Sequence, residues 1–390
     1  MKLSFDNTQV AFSGKDDKEL RRAYRLFRMM NNRLMVRLGS AIALIFLKFR
    51  LPIGTFIRRS FYDHFCAGES LPDCTRTIVA LDGSNTFTIL DYGVEAKSSE
   101  ADFERTKKEM LALLEFAGGN DRLPVISCKL TGLGKSSVLR KVSAGSQLSE
   151  ADLVDWAALR QRFEAICRAA YESATSLFVD AEESWLQKAI DDLTEEMMQR
   201  WNKDKPLIYN TIQLYRHDRL DFLKSSLDRS VQGGYLLAVK LVRGAYMEKE
   251  RLYAGKNGKP SPIHASKPAV DHDYNAALEF CVNHIDKISL CAATHNEESC
   301  LLLARLVEEK ELDHKHPHVW FCQLYGMSDH ITYNLASEGY NASKFVPYGP
   351  VREVVPYLIR RAEENTSVAG QMSRELHLIH QEINRRTHQK

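Results

Sequence analysis

Two lysines stand inside apolar stretches of the chain. Lys129 lies near the end of the run VISCKL, and Lys240 lies within YLLAVKLV. Because a lysine among apolar residues on a buried strand must find a partner or a ligand, both are candidate site residues. One chemistry open to such a lysine is nucleophilic attack on a carbonyl substrate, which forms a Schiff base as in an aldolase.

A second candidate group lies near the C-terminal end. The stretch FVPYGP is typical of a strand that enters a tight turn, and helical periodicity follows it from Val351. Four polar residues share one face of that helix at i, i+3, i+4 and i+7: Tyr357, Arg360, Arg361 and Glu364. Taken alone, such a cluster is more often a solvated, salt-bridged surface.

The elements that must position these residues alternate along the chain. Apolar, β-rich runs occur at 86–92, 125–130, 176–180, 207–214, 235–242, 288–294, 319–324 and 343–346. Continuous apolar strands separated by helices are typical of parallel strands buried on both faces. Eight such units over roughly 280 residues predict an α/β protein with a (β/α)8 TIM-like barrel. An open doubly wound sheet is the alternative, but no G-x-G-x-x-G follows the first run.

Polar residues follow every run. In a barrel of this kind, chemistry takes place at the C-terminal ends of the strands. The residues there are Asp91, Glu95, Lys129, Asp180, Glu182, Gln213, Tyr215, Lys240, Arg243, Gly244, Tyr246, Thr294, His295, Asn296, Gln323 and Tyr348. A single polar residue could be a turn residue or a helix cap. Polar groups at all the strand ends predict a functional site.

The predicted barrel, residues 79–366, has an extension at each end. Residues 1–78 are predicted to form a basic helical arm, and 367–390 a polar helical tail. The arm could lie on a membrane surface, but we favour an amphipathic subdomain packed on the core. Residues 253–273 are rich in Gly, Pro and Lys, and this composition predicts a long loop over the site.

Composition narrows the functional class. The net charge is +2 and the pI about 8.0, so no global field indicates a nucleic-acid partner. The 8 cysteines form no C-x-x-C pair, as expected in a reducing compartment. No run is long enough to span a bilayer, and the N-terminus does not have the composition of a mitochondrial transit peptide. These features predict a cytoplasmic protein, or a mitochondrial one if the source is eukaryotic, with an arm compatible with peripheral contact at the inner face of the membrane.

Two other motifs carry no chemistry in this interpretation. The stretch around Lys135 lacks the first glycine of a phosphate-binding loop, because Lys129 occupies that position. His314, His316 and His318 are interpreted as an exposed polar loop before a strand, so no metal site is predicted.

Four motifs carry a family resemblance. The stretches KLVRGAY (240–246), THN (294–296), QLYGM (323–327) and residues 345–365 resemble proline dehydrogenase, in its single-function branch. That family comprises flavoenzymes on a (β/α)8 barrel that oxidise L-proline to Δ1-pyrroline-5-carboxylate with FAD. The resemblance extends from about residue 90 to residue 365.

The resemblance implies a substrate site. Lys129, Arg360 and Arg361 match the residues that bind the proline carboxylate, for which cationic forks are suited. Tyr246, Leu324 and Tyr357 match the apolar wall around the proline ring. Glu95 and Glu364 would hold the two arginines as ion-pair partners.

The resemblance also implies a cofactor site and a mechanism. The positions that match FAD-binding residues are Ala181, Gln213, Lys240, Arg243, Gly244, Ala245, Thr294, His295 and Asn296. Lys240 would stabilise charge near the flavin N5 as hydride arrives from proline C5. Asp180 matches an active-site aspartate that orients this network. A quinone is the implied final electron acceptor.

One position departs from the family pattern. Phe345 stands where many members carry a tyrosine near the substrate ring. Loss of that hydroxyl could weaken discrimination against hydroxyproline, although proline is the predicted main substrate.

Two other functions are compatible with the residues alone. One is the Schiff-base aldolase with Lys129 or Lys240 as nucleophile, which would need no flavin. The other is a membrane-surface binding protein that acts through its basic arm. Neither explains why polar residues follow all the predicted strands.

Overall fold

The structure is a computed structural model, and it describes residues 3–32, 34–36, 39, 61–93, 98–367 and 371–389. Side chains are described over these residues except at 360–367 and 371–372. Residues 40–60 of the predicted basic arm therefore lie outside the described part of the chain.

Parallel strands form a closed barrel in which each strand neighbours the next one in the chain. They are β1 (Phe87–Tyr92), β2 (Val125–Cys128), β3 (Ser176–Val179), β4 (Ile208–Gln213), β5 (Leu237–Val242), β6 (Ile288–Ala293), β7 (Val319–Leu324) and β8 (Ala342–Tyr348). The closed strand order confirms the predicted (β/α)8 barrel and excludes the open doubly wound sheet.

The strand boundaries differ from the predicted runs by a few residues. The second run was expected to extend to residue 130, but β2 ends at Cys128 and a short 3₁₀ turn follows at Leu130–Gly132. Lys129 is thus the first residue after β2, whereas Lys240 lies within β5.

Helices follow each strand and extend the chain at both ends. The described helices are α1 (Thr8–Ala11), α2 (Asp17–Met30), α3 (Asp63–Phe65), α4 (Leu71–Asp82), α5 (Glu100–Ala117), α6 (Ser136–Ser143), α7 (Glu150–Glu172), α8 (Ser184–Trp201), α9 (Arg219–Gly233), α10 (Met247–Lys256), α11 (Lys267–Asn283), α12 (Glu297–Glu309), α13 (Asp329–Ser337), α14 (Val351–Ser367) and α15 (Gln371–His388). Capping boxes mark several N-termini: Asp16 precedes α2 and pairs with Glu19 in its first turn, and Ser149 precedes α7 and pairs with Asp152 in its first turn.

The chain divides into two compact units. Unit 1 comprises Met1–Glu95, His295–Glu297 and Cys322–Lys390, and unit 2 comprises Ala96–Thr294 and Glu298–Phe321. The boundaries predicted at residues 78 and 366 remain a proposal.

In unit 2, β2 to β6 pair in parallel register. Cys128 lies opposite Val179, and Lys240 lies between Thr211 of β4 and Cys291 of β6. Strands β2 and β4 are buried along their whole length. Burial on both faces explains why the sequence shows continuous apolar runs rather than alternation.

In unit 1, β1 pairs with β8, and the terminal helices share one apolar cluster. Leu20 and Phe27 of α2 pack in this cluster with Tyr357 of α14 and Leu378 of α15. Helix α2 therefore buries its apolar face against the other helices of this cluster, as expected for an amphipathic subdomain packed on the core. None of the helices in the described part of the chain is long and apolar enough to cross a membrane.

Candidate active site

One carboxylate is held by two lysines beside the C-terminal ends of β2 and β3. Nζ of Lys129 lies 2.9 Å from Oδ2 of Asp180, and Nζ of Lys240 pairs with Oδ1. The hydroxyl of Ser127 also donates to Oδ1, at 2.9 Å. The three charged side chains are between 6% and 17% exposed. Both lysines thus have the partner that their apolar surroundings require, and it is the same carboxylate.

The charge state of Asp180 follows from these contacts. Burial would raise the pKa of its carboxyl, but the charges of Lys129 and Lys240 outweigh burial and hold that pKa below its usual range. The carboxylate is therefore ionised at neutral pH and is a weak proton acceptor. This supports an orienting role for Asp180 over a role as sole base.

Lys240 has a second neighbour. Its ammonium lies 5.2 Å from the centroid of the Phe178 ring, on β3. A cation above an aromatic face is attracted to it. The carboxylate and the ring together fix where this positive charge lies.

Arg243, just after β5, organises a second polar group. Its guanidinium donates to Asp271 at 2.8 Å, to Thr294 Oγ1 at 2.6 Å and to Ser299 Oγ at 3.0 Å. It also lies 4.3 Å from the centroid of the Tyr274 ring. The structure therefore joins two predicted cofactor residues, Arg243 and Thr294, in one network.

Asp271, Ser299 and Tyr274 were not predicted as site residues. They lie on α11 and α12, and not at the strand ends where site residues were predicted. The one sequence signal that could have identified Asp271 is its place at the end of the predicted loop 253–273.

Two features near β4 and β5 fit a bound FAD. Nε2 of Gln213 donates to the carbonyl of Glu182 at 2.9 Å, whereas its buried Oε1 has no hydrogen-bond partner among the described atoms. Such an oxygen is costly unless a ligand supplies a donor. Gly244 has a φ of +138°, and a Cβ there would lie 2.5 Å from the Tyr215 ring. Only glycine fits this position, because the Tyr215 ring occupies the space that a Cβ would take.

The other predicted cofactor residues occupy loops after strands. Ala181 follows Asp180 and is 9% exposed, and Ala245 follows Gly244. His295 and Asn296 follow β6 and belong to unit 1. Nδ1 of His295 lies 2.8 Å from the hydroxyl of Ser328.

The predicted apolar wall falls into two parts. Tyr246 precedes α10 in unit 2, with the Lys249 ammonium 5.9 Å from its ring centroid. Leu324 and Tyr357 both pack in the apolar cluster of unit 1, where Tyr357 is 4% exposed. Their roles in substrate binding remain predictions.

Four predicted residues cannot be placed. Glu95 lies outside the described residues, and so do the side chains of Arg360, Arg361 and Glu364. The backbone of α14 does include positions 360, 361 and 364, so the predicted helix is present.

The histidine loop before β7 has structural contacts. Nδ1 of His318 lies 3.0 Å from the carbonyl of Ile285, and the rings of His316 and His318 are 5.5 Å apart. The described residues contain no group of three or more His, Cys, Asp or Glu side chains that could hold a metal ion.

Comparison with known proteins places the chain in a family. A family model described as Proline dehydrogenase matches residues 74–374. The carbapenem antibiotics biosynthesis protein CarD of Pectobacterium carotovorum subsp. carotovorum is 35% identical over 322 residues, 83% of each chain. A hydroxyproline dehydrogenase of Xenopus laevis is 31% identical, with 98% of this chain and 90% of that protein covered. Proline dehydrogenase 1 of Dictyostelium discoideum is 32% identical over 86% of this chain and 66% of its own length.

The fold has a solved counterpart. The crystal structure of proline utilization A from Bdellovibrio bacteriovorus, inactivated by N-propargylglycine, superposes with a TM-score of 0.71 and 20% identity. It covers 93% of this chain, which spans only 38% of that longer protein. Because the family model covers most of the sequence, the chain belongs to the proline dehydrogenase family and is an oxidoreductase.

Proposed function

We propose that this chain oxidises L-proline to Δ1-pyrroline-5-carboxylate with FAD as cofactor. Membership of the family supports the reaction class. The observation that carries the proposal in this chain is the pairing of Lys129 and Lys240 with Asp180 beside the strand ends. Bound FAD would supply N5 as the acceptor for the hydride from proline C5 while the amine loses its proton, and a quinone would be the final electron acceptor.

The substrate carboxylate is bound by cationic side chains. Lys129, Arg360 and Arg361 supply them, and Glu95 and Glu364 keep the two arginines ordered before substrate arrives. Asp180 keeps the Lys129 ammonium in a fixed position, because their charged groups are 2.9 Å apart. A preorganised cation loses less side-chain entropy on binding than a mobile one.

The apolar ring of proline requires a different surface. Tyr246, Leu324 and Tyr357 provide it. Aromatic and aliphatic side chains exclude water from the reacting carbon and favour a substrate whose ring carries no polar group.

The cofactor site combines charged and polar side chains with a glycine and two alanines. It is formed by Ala181, Gln213, Lys240, Arg243, Gly244, Ala245, Thr294, His295 and Asn296. Lys240 places a positive charge where negative charge develops during the reaction, and Asp180 holds it there. Arg243 fixes Thr294 through a hydrogen bond of 2.6 Å. The unsatisfied Oε1 of Gln213 would be available to accept a hydrogen bond from the cofactor.

An absorption spectrum of the purified full-length chain tests this proposal. Oxidised-flavin bands that bleach on anaerobic addition of L-proline would support cofactor, reaction and substrate together. Bands that L-proline leaves unchanged would overturn the substrate assignment. A colourless protein that stays inert after FAD is added back would favour the aldolase hypothesis instead. Borohydride trapping with a carbonyl substrate would test that hypothesis directly.

Hydroxyproline is the second candidate substrate. The similarity to a hydroxyproline dehydrogenase covers 98% of this chain, and Phe345 on β8 is only 8% exposed. We expect kcat/KM to be higher for L-proline than for trans-4-hydroxy-L-proline, because an apolar ring does not solvate the added hydroxyl. A preference for hydroxyproline would reverse the assignment.

The quinone acceptor, membrane contact and cytoplasmic location remain predictions. Leu34 and Met35, 75% and 50% exposed, are the exposed apolar side chains of the described arm. Sedimentation of the full-length chain with anionic vesicles tests membrane contact. Loss of binding in the Leu34→Ser, Met35→Ser double variant would locate that contact in the arm.

A further inference from the structure

Ser328 uses its hydrogen-bonding groups in an unusual way. It precedes α13 with a φ of 50°, a conformation that serine rarely adopts, and it is fully buried. A serine at this position normally caps its own helix, but this side chain makes no capping bond. Its hydroxyl lies 2.8 Å from Nδ1 of His295, and its backbone N–H donates to Oε1 of Glu375 at 2.8 Å.

The bond at Nδ1 fixes the rotation of the His295 ring. Once Nδ1 faces Ser328, the direction in which Nε2 points is also set, whichever nitrogen carries the proton. Ser328 in turn is held by Glu375, a residue of the tail helix α15. A series of contacts therefore runs from the tail to a predicted cofactor residue.

The same turn of α15 also contacts Glu297, which lies two residues after His295 in the chain. Nε of Arg374 lies 3.0 Å from Oε1 of Glu297, and Nε2 of His330 lies 3.0 Å from that same oxygen. The segment His295–Glu297 belongs to unit 1 together with the tail, although the residues on either side of this segment belong to unit 2. The contacts of Glu297 with Arg374 and His330 thus all lie within unit 1.

Glu375 holds the backbone N–H of Ser328 with a carboxylate that is almost fully buried. It is 3% exposed, and burying a carboxylate costs free energy unless partners compensate. Burial raises the pKa of the Glu375 carboxyl, and the charges of His330 and Lys344 offset this only in part. Lys344 also pairs with the nearby Asp329. The match to the family model also ends at residue 374, one residue before Glu375.

We propose that Glu375 is a positioning residue of the cofactor site, which holds Ser328 so that the His295 ring is fixed for FAD. This inference rests on the proposed function, since the contact of His295 with FAD is itself proposed. It makes the tail helix part of the cofactor site and not an appendage.

Variants of the full-length chain test the inference through FAD affinity. Glu375→Leu removes the acceptor, Glu375→Gln keeps an acceptor oxygen, and Ser328→Ala removes the bond to His295. Titration of deflavinated protein should show a Kd for FAD raised about tenfold in Glu375→Leu and in Ser328→Ala. Glu375→Gln should stay within about twofold of wild type. In the double variant that combines Glu375→Leu with Ser328→Ala, the Kd for FAD should rise no more than in the weaker-binding single variant. Both substitutions act through the same contacts, so their effects should not add.

Glu382→Leu is the matched control. Glu382 lies on the same helix, its side chain is 0% exposed, and it accepts from Thr8, Arg385 and Arg386. Its loss should lower the melting temperature without changing the Kd for FAD. Equal weakening by Glu382→Leu, or unchanged Kd in both Glu375→Leu and Ser328→Ala, would overturn the inference.

The proposed function and the positioning role of Glu375 can be tested separately. A wild-type chain that binds no FAD would overturn both the proposed function and this inference. A wild-type chain that binds FAD and is bleached by L-proline, with variants that bind FAD equally well, would overturn the inference alone.

Discussion

Nζ of Lys129 lies 2.9 Å from Oδ2 of Asp180, whose other oxygen pairs with Lys240. Two ammonium groups and one carboxylate give this buried group a net charge of +1. That excess positive charge is complementary to the carboxylate of an amino-acid substrate. An aldolase needs a lysine amine free to attack a carbonyl carbon, whereas both lysines here are paired with one carboxylate.

Asp180→Asn tests whether the carboxylate orders the two lysines. Both ammonium groups would lose their anionic partner while buried, and breaking a buried pair typically costs about 3–5 kcal/mol. We expect kcat/KM for L-proline to fall by about 100-fold or more. Stopped-flow reduction of the bound flavin would measure the loss in the first half-reaction.

Asp191→Asn controls for the general cost of losing a buried ion pair. Asp191 lies on α8 in the same unit and pairs with Arg219 at 2.9 Å, with both side chains 5% exposed. It should cost stability but leave flavin reduction within a few-fold of wild type. If both variants lost activity equally, Asp180 would have no special role.

Replacing each lysine by methionine should separate substrate binding from catalysis. In Lys129→Met the carboxylate loses a cation, so KM for L-proline should rise about tenfold. In Lys240→Met the charge that stabilises the transition state is removed, so kcat should fall by about 100-fold with little change in KM.

Lys135→Met is the surface control for both lysines. Lys135 pairs with Asp155 at 2.8 Å but is 44% exposed, and exposed pairs contribute little. Both kinetic constants should stay within about twofold of wild type. If Lys129→Met lowered kcat and left KM unchanged, Lys129 would act in the chemical step and not as a carboxylate ligand.

Arg243→Lys tests the network after β5. A lysine cannot maintain bonds to Asp271, Thr294 and Ser299 at once, because its ammonium lacks the planar fork of the guanidinium. We expect the Kd for FAD to rise by about tenfold or more, as measured by flavin release on dilution. Arg219→Lys, at a buried arginine of the same unit, should leave the Kd for FAD unchanged.

The strands were predictable because burial on both faces leaves a local signal. The run YLLAVKLV is apolar at every position except Lys240, and β5 is found within that run, at Leu237–Val242. The ends were less predictable, since they depend on pairing with a neighbouring strand. Lys129 illustrates this, because pairing of β2 with β3 stops at Cys128 and Val179.

The partners of the site residues were not predictable in the same way. Lys240 and Asp180 are 60 residues apart in the chain, and only the barrel register brings them together. Sequence reasoning marked both lysines as needing a partner but could not show that they share one. Ser328 and Glu375 carried no signal, because a serine before a helix usually is an ordinary cap.

Glu182 gives a prediction about pH and stability. Burial raises the pKa of this carboxyl from 4.5 to about 7, despite hydrogen bonds from the backbone and hydroxyl of Thr131. Between pH 4.5 and 7 the unfolded chain therefore ionises Glu182 while the folded chain keeps it protonated. Because the folded state then binds more protons than the unfolded state, this residue lowers stability as pH rises through that range, and its effect is constant above it.

The Glu182→Gln variant removes this titration while it keeps a side chain of the same shape. Relative to the variant, wild type should lose about 3 kcal/mol of unfolding free energy between pH 4.5 and about 8, which corresponds to the pKa difference. Urea unfolding of both proteins at several pH values measures the difference directly. A stability difference that stays constant across that range would show that Glu182 ionises in the folded chain as readily as in the unfolded one.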